Sequence, residues 1–218
     1  MYKRFFKRII DLLVSTIAFV ILSPVILIAA LLVKINLGSP VLFSQIRIGK
    51  NEKKFRMYKF RSMNSKCDSN GKLLPDIERL TKFGQLLRST SIDELPALFN
   101  IIKGDMSIVG PRPLPVSYLP YYTETEQKRH TVRGGLTGLA QINGRAELDW
   151  DKRFEYDIQY IENISFKNDM IIILKTFGKV FKREHISIRG VTSPQDLSAI
   201  RPVYRNIAAS SPDNKTKK

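Results

Sequence analysis

The sequence predicts an α/β fold that is mostly α-helical with one small β-hairpin, preceded by a membrane-embedded helix that breaks and returns. Three observations predict it: a long uncharged N-terminal run, two β-rich segments joined by a turn, and several later segments with helical periodicity. We expect residues 1–36 to form a re-entrant helical hairpin. Residues 37–190 are expected to form one compact cytosolic domain with amphipathic helices at the membrane interface, and residues 191–218 a C-terminal extension that is partly disordered.

The N-terminal run covers residues 12–33, which carry no charged side chain. As a helix the run would be about 33 Å long, close to the hydrocarbon thickness of a bilayer. Ser23-Pro24 interrupts it, because proline removes a backbone donor and bends a helix. Lysine and arginine, which favour the cytoplasmic side, flank both ends. A helix that leaves by the face it entered satisfies both flanks, so we expect a re-entrant hairpin; a kinked spanning helix is the alternative.

The chain has 218 residues and a formal net charge of +16. So basic a balance indicates acidic partners, which could be nucleic acid, anionic lipid headgroups or phosphorylated substrates. The single cysteine, Cys67, excludes an intrachain disulfide. His130 and His185 lie far apart without neighbouring cysteines, so the sequence does not show the spacing of a zinc site.

The later segments are assigned by periodicity and by turn residues. Residues 41–48 and 54–61 are predicted strands joined by a turn at Gly49-Lys50-Asn51. Predicted helices cover residues 77–90, 116–130 and a segment beginning at Asp149, and residues 134–138 are predicted to be a glycine-rich loop. Residues 169–181 are apolar on one side, which is typical either of a helix packed on the core or of a helix lying in the membrane interface.

Asp93 and Glu94 are the sharpest local feature. Ser91 and Glu94 have the spacing of a capping box, which predicts a helix from Ser91 to a stop at Gly104. On that interpretation the two acids only favour the helix start. On the functional interpretation, ionised Asp93 acts as a nucleophile on phosphorus and the pair, Glu94 above all, holds a divalent cation.

Basic residues stand beside glycine and proline at several points of the chain. Arginine binds phosphate oxygens in a bidentate manner and stays charged, so these positions are candidate phosphate contacts. Glycines 134, 135 and 138 would permit the backbone to approach a ligand closely. The candidate substrate-binding residues are Lys59, Arg61, Arg88, Arg112 and Arg145.

Five motifs, in order, resemble those of the bacterial sugar transferase family, and in particular its small monotopic phosphoglycosyl transferases. They are VLFSQ at 41–45, YKFRSM at 58–63, SIDELP at 91–96, KGDMSIVGPRP at 103–113 and GLAQINGR at 138–145. The resemblance covers roughly residues 1 to 185, including Ser23-Pro24.

The resemblance implies the transfer of a sugar 1-phosphate from a UDP-sugar to polyprenyl (undecaprenyl) phosphate, with UMP as the second product. Asp93 would form a covalent aspartyl-phosphosugar intermediate, Glu94 would ligate Mg²⁺, and basic residues would contact the phosphates. It also implies a monotopic protein of the bacterial inner membrane, with residues 37–190 as a catalytic domain facing the cytoplasm and no nucleic acid as partner.

Two other functions remain open on the sequence. The charge of +16 and the segment from Gly135 to Gly138, which echoes the GXXG loop of KH domains, would suit a nucleic-acid-binding protein. A membrane-bound nucleotide-sugar hydrolase would use the same carboxylates with water as the acceptor.

Overall fold

The computed structural model describes residues 1–144, 148–181 and 196–205. The strands are β1 (Leu42–Ile48), β2 (Lys54–Phe60), β3 (Met106–Val109) and β4 (Gly134–Thr137). The helices are α1 (Lys7–Ile21), α2 (Ser23–Leu37), α3 (Asp76–Arg79), α4 (Lys82–Ser89), α5 (Ala97–Lys103), α6 (Glu124–Gln127), α7 (Leu139–Asn143), α8 (Trp150–Glu162), α9 (Phe166–Phe181) and α10 (Leu197–Ile200). Short 3-10 turns lie at Lys50–Glu52, Ile92–Glu94, Val116–Tyr121 and Lys128–Thr131. The predicted α/β fold, mostly helical with a small β-hairpin, is confirmed.

The N-terminal helices break where the sequence predicts. The segment Tyr2–Ile21 and helix α2 meet at a bend of 62°. Pro24 lies in the first turn of α2, where its missing N–H leaves no helical hydrogen bond unmade, and the Ser23 hydroxyl donates to the carbonyl of Val20 at 2.7 Å. Of the described helices, none is by itself long and apolar enough to cross a bilayer; only this bent pair meets that test jointly.

Charged side chains of α1 enter the folded domain rather than solvent. Lys7 pairs with buried Asp169 at 2.6 Å, the Arg8 guanidinium donates to the last carbonyls of α5, and Asp11 is 4% exposed. Asp11 accepts hydrogen bonds from the Ser107 hydroxyl and from the backbone N–H of Ile108 at the start of β3. The N-terminal helices are therefore attached to the end of α5 and the start of β3, which lie in or next to the motif at 103–113.

Two small sheets organise the domain. Strands β1 and β2 form the predicted antiparallel hairpin, with Leu42 opposite Phe60 and Ile48 opposite Lys54. Strands β3 and β4 are parallel, with Met106 opposite Gly134. The second sheet corrects the prediction of a glycine-rich loop at 134–138, because four of these residues form strand β4 beside β3.

Two predicted helices are divided into shorter pieces. The segment 77–90 breaks because Leu80 bridges to Met63 in an extended conformation, after which Thr81 caps α4 by accepting from the N–H of Gly84. The segment 116–130 forms two 3-10 turns around α6, with Pro120 inside the first turn. The helix after Asp149 is confirmed, and Asp149 caps it by accepting from the N–H of Lys152.

Helix α9 combines the two interpretations of the segment 169–181. On one side Ile172 is buried against Val109, Ile142 and Tyr160. The opposite side exposes large apolar side chains at helical spacing: Phe166, Met170, Leu174 and Phe177. The helix packs on the core and also presents an apolar stripe outward.

Candidate active site

Asp93 and Glu94 lie in the short 3-10 turn between α4 and α5. The turn follows Ser91, whose φ of 58° places it in the left-handed region rather than in the extended conformation of an N-cap residue. The predicted capping box is therefore wrong, and so is the continuous helix from Ser91, since α5 begins only at Ala97. The predicted stop at Gly104 is confirmed, with a φ of 96° that suits glycine.

The Glu94 carboxylate faces two cations. Its Oε1 accepts hydrogen bonds from Nζ of Lys59, at the end of β2, and from Nη2 of Arg112 at 2.7 Å. The register of β2 against β1 positions Lys59, and the loop that follows β3 carries Arg112. Residues from three distant parts of the sequence thus meet at one carboxylate.

The loop that carries Arg112 is held by backbone contacts with β4. The N–H of Gly110 donates to Thr137, and the N–H of Gly135 donates to Pro111, both at 2.9 Å. A Cβ at Gly135 would lie 2.1 Å from the nitrogen of Gly110, and one at Gly138 would lie 2.2 Å from its oxygen. The expectation that these glycines admit a ligand is corrected here, because their absent side chains admit the Gly110–Pro113 backbone.

The ion pair of Arg129 and Asp157 also holds this loop in place, and neither residue was predicted from the sequence. Each is buried, and Arg129 donates through Nε and Nη2 to Oδ2 of Asp157 at 3.0 and 2.7 Å. Nη2 of Arg129 also donates to the backbone carbonyl of Arg112 at 2.8 Å. A signal was present, because Asp157 falls between Phe154 and Ile161 on the apolar face of α8, where an acid needs a buried partner.

The pKa values of the two acids are shifted in opposite directions. Burial and the neighbouring carboxylate of Glu94 raise the pKa of Asp93 from 3.8 to about 6, against the opposing charges of Lys59, Arg88 and Arg112. Burial alone would raise the pKa of Glu94 too, but Arg112 and Lys59 outweigh it and hold that pKa well below its usual range. Burial and Arg112 lower the pKa of Lys59. Glu94 is thus a fixed anion beside a nucleophile candidate that titrates near pH 6.

The other predicted substrate-binding residues, Arg88, Arg61 and Arg145, differ in what the structure shows of their contacts. Arg88 lies near Asp93, where its charge favours the carboxylate, and its Nε donates to the Ser62 hydroxyl at 2.9 Å. The Arg61 guanidinium instead donates to the carbonyls of Gly38 and Ser39, just after α2, so its phosphate contact stays a prediction. Arg145 lies outside the described residues.

The family model for bacterial sugar transferases matches residues 2–183. The chain belongs to this family. A Bacillus subtilis sugar transferase, EpsL, whose activity is described as uncharacterized, is 46% identical over an alignment of 199 residues that covers 88% of this chain and 98% of that protein. The chain is therefore an enzyme, a sugar transferase of nearly the same extent as that relative.

Other relatives of this sugar transferase carry names that state a reaction. The UDP-glucose:undecaprenyl-phosphate glucose-1-phosphate transferase of Klebsiella pneumoniae is 43% identical over 81% of this chain. The UDP-N-acetylgalactosamine-undecaprenyl-phosphate N-acetylgalactosaminephosphotransferase of Aeromonas hydrophila is 39% identical over 81% of this chain. The matched regions make up 40% and 44% of those two proteins, so this chain spans less than half of their length.

Asp93 and Glu94 are the carboxylates that would hold a divalent cation at the candidate active site. Within the described ranges, three or more His, Cys, Asp or Glu side chains do not cluster in a way that could hold a metal ion. Mg²⁺, however, is commonly bound by one or two carboxylates, with substrate phosphates and water completing its shell. Asp93 and Glu94 fit that partial donor set, so the residues present are compatible with Mg²⁺ bound together with a nucleotide diphosphate.

Proposed function

We propose that the protein transfers a sugar 1-phosphate from a UDP-sugar to polyprenyl phosphate, giving polyprenyl-diphosphate-sugar and UMP as the first membrane step of glycan assembly. The observation that carries this proposal is the pairing of buried Asp93 with a Glu94 carboxylate whose charge is balanced by Lys59 and Arg112. The names of the Klebsiella and Aeromonas relatives, which pair a UDP-sugar with undecaprenyl phosphate, support the same reaction.

In the first step, an oxygen of ionised Asp93 attacks the β-phosphorus of the UDP-sugar. The bond between that phosphorus and the oxygen bridging to the α-phosphate breaks, and UMP leaves with the electron pair. Phosphoryl transfer depends mainly on positioning and on neutralising charge that develops on oxygen, and Lys59, Arg88 and Arg112 can supply that positive charge. Bound by Asp93, Glu94 and the substrate, Mg²⁺ would neutralise further phosphate charge.

In the second step, a phosphate oxygen of the polyprenyl phosphate attacks the same phosphorus. The bond between phosphorus and the Asp93 oxygen breaks, which releases polyprenyl-diphosphate-sugar and restores the carboxylate. Since a carboxyl with a pKa near 6 is a better leaving anion than any alcohol, the aspartyl phosphate is suited to both formation and breakdown.

The membrane placement belongs to the same proposal. Exposed apolar side chains cover the bent pair α1–α2, including Leu27, Ile28 and Leu31, and a second exposed apolar stripe runs along α9. A re-entrant hairpin with α9 in the interface would bury both, with the catalytic domain at the cytoplasmic leaflet of the bacterial inner membrane. Pro24→Ala should straighten the pair and favour spanning, so that a cysteine introduced at position 3 changes its side of labelling.

The nucleic-acid alternative loses one of the two features that suggested it. Residues 135–137 lie in β4, and Thr137 accepts a hydrogen bond from the N–H of Gly110, so the segment up to Gly138 is not an exposed loop of the GXXG kind. The hydrolase alternative uses the same site and differs only in the acceptor.

A UMP-release screen across UDP-sugars, with and without undecaprenyl phosphate in detergent micelles, tests the proposal. We expect catalytic turnover only with the lipid, one sugar-phosphate adduct per protein without it, and loss of both in Asp93→Asn. Asp76→Asn, at a half-buried carboxylate on α3, is the control. Chelation should suppress turnover and added Mg²⁺ should restore it. Turnover without lipid would identify a hydrolase, and full activity of Asp93→Asn would exclude the covalent step.

A further inference from the structure

An aromatic side chain lies next to the cation that contacts Glu94. Phe43 on β1 is the antiparallel partner of Lys59 on β2. Directly opposite residues of such a pair project from the same face of the sheet, with Cβ atoms about 5 Å apart. The Phe43 and Lys59 side chains therefore start from neighbouring positions on one face of the sheet, and Lys59 extends to Oε1 of Glu94.

Core packing does not account for Phe43. Phe55, Met57 and Lys59 are every second residue of β2, so they project from the same face of the sheet. Phe55 and Met57 are both buried against α5. Phe43 projects from the same face of the sheet and yet is 50% exposed. Folding of the described residues leaves half of a phenyl ring in solvent at the edge of the candidate active site.

This end of the hairpin is also the end fastened to α2. The Arg61 guanidinium holds the carbonyls of Gly38 and Ser39, and Phe60 packs on Ala29 and Val33 of α2. The turn closes the other end of the hairpin next to Lys54. Lys54 lies five residues before Lys59 in the chain, about 17 Å away at the rise of a strand. In the proposed membrane placement, Phe43 and Lys59 are therefore both near the membrane-facing end of the hairpin.

We propose that Phe43 forms the subsite for the first isoprene units of the acceptor, with Lys59 contacting the phosphate to which they are attached. The inference rests on the proposed function. An amphiphile whose apolar chain begins directly at its phosphate requires an apolar surface beside a cation, which this pair provides. A UDP-sugar fits the pair less well, because hydroxyl-bearing sugar rings adjoin its diphosphate on both sides.

Two substitutions on the same strand test the subsite. Phe43→Ala should raise KM for undecaprenyl phosphate about tenfold, as loss of a buried phenyl contact predicts, while Phe43→Leu should retain most of the affinity. Leu42→Ala is the matched control, since Leu42 is similarly exposed at 45% but projects from the opposite face. The KM for the UDP-sugar and the single-turnover release of UMP without acceptor should stay at the wild-type values in all three variants.

The outcomes separate this inference from the proposed function. A wild-type enzyme that transfers no sugar phosphate to the lipid rejects the function itself. A functional enzyme in which Phe43→Ala raises KM for the UDP-sugar, or behaves like Leu42→Ala, rejects the subsite.

Binding can also be observed without turnover. Phe43→Trp adds an exposed tryptophan to a chain whose single native one, Trp150, is buried. Its emission should shift to the blue with undecaprenyl phosphate and stay constant with UDP-sugar. The reverse pattern would overturn the assignment, even if Phe43→Ala failed to fold.

Discussion

The guanidinium of Arg129 donates a 2.8 Å hydrogen bond to the backbone carbonyl of Arg112. Arg129 is itself fixed by two hydrogen bonds to buried Asp157, and the Arg112 side chain continues to Glu94. A buried ion pair on α8 is in this way connected to the carboxylate beside Asp93. The direction of the Arg112 side chain depends on residues that do not themselves reach the candidate active site.

Asp157→Asn tests this dependence. Removing one member of a buried ion pair leaves the other charge without compensation, so we expect the free energy of unfolding to fall by about 3 kcal/mol. At temperatures where the variant stays folded, kcat should still fall, because the Arg112 carbonyl loses its fixed donor. Glu52→Gln, which breaks the more exposed pair with Arg205, should change stability by less than about 1 kcal/mol and leave kcat unaltered. Equal effects of the two substitutions would contradict the connection.

The pH dependence of the first step follows from Asp93. Only its ionised form is a nucleophile, and its pKa is raised to about 6, so kcat/KM for the UDP-sugar should rise as pH increases through about 6 and then level off. Measurement of kcat/KM between pH 4.5 and 8 checks this. A profile flat down to pH 4.5 would show that Asp93 ionises at its ordinary value or is not the nucleophile.

Glu94→Gln should move that profile. The Glu94 carboxylate raises the pKa of Asp93, while Lys59 and Arg112 lower it. Removing the anion therefore lowers the pKa of Asp93, and the residual single-turnover release of UMP should rise at a lower pH than in the wild type. Exposed Glu78→Gln is the control and should reproduce the wild-type profile. An upward shift in Glu94→Gln would contradict the electrostatic account.

Asp93→Asn should increase stability while abolishing turnover. Because folding raises the pKa of Asp93, the ionised carboxylate destabilises the native state progressively as pH rises from 3.8 through about 6, and fully at pH 7. This difference corresponds to at most about 3 kcal/mol. We expect a gain of about 1 to 3 kcal/mol in unfolding free energy at pH 7, shrinking toward zero near pH 4. A gain that does not depend on pH would have another cause.

Gly135→Ala tests the contact between β4 and the arginine loop. The added Cβ would lie 2.1 Å from the nitrogen of Gly110, so the backbones must separate, and we expect severe destabilisation with loss of activity. At Gly178 in α9, the same substitution meets nothing within 4 Å and should stabilise the helix by about 0.5 to 1 kcal/mol. Thermal unfolding of both variants provides the comparison.

Local patterns predicted the elements whose causes are local. The β1–β2 hairpin follows from two β-rich segments around a turn, the break of the N-terminal helices from Pro24, and the start of α8 from the cap at Asp149. The division of the segment 77–90 depends on a bridge between Leu80 and Met63, and β4 exists only by pairing with β3. Neither partner can be identified from the periodicity of the segment itself.

The candidate site likewise contains residues that could be predicted from the local sequence and residues that could not. Asp93, Glu94, Lys59 and Arg112 could be named because their residue types suit phosphate chemistry, and the structure brings them together. Arg61 shows that a basic residue beside such a motif can bind backbone carbonyls instead. Arg129 was missed because its partners, Asp157 and the Arg112 carbonyl, come together only through tertiary packing.

Helix α1 is bound to the domain through Lys7, Arg8 and Asp11, all within its first two turns. A shortened version of the enzyme that works without detergent would have to keep those turns, since their removal would take a polar partner from each of Asp169, the end of α5 and the start of β3. For the same reason, an unrelated sequence could not simply replace the first two turns of α1. In the proposed membrane placement, an unrelated anchor grafted in its place would hold the enzyme near a bilayer without fixing the orientation of Asp93 relative to the bilayer.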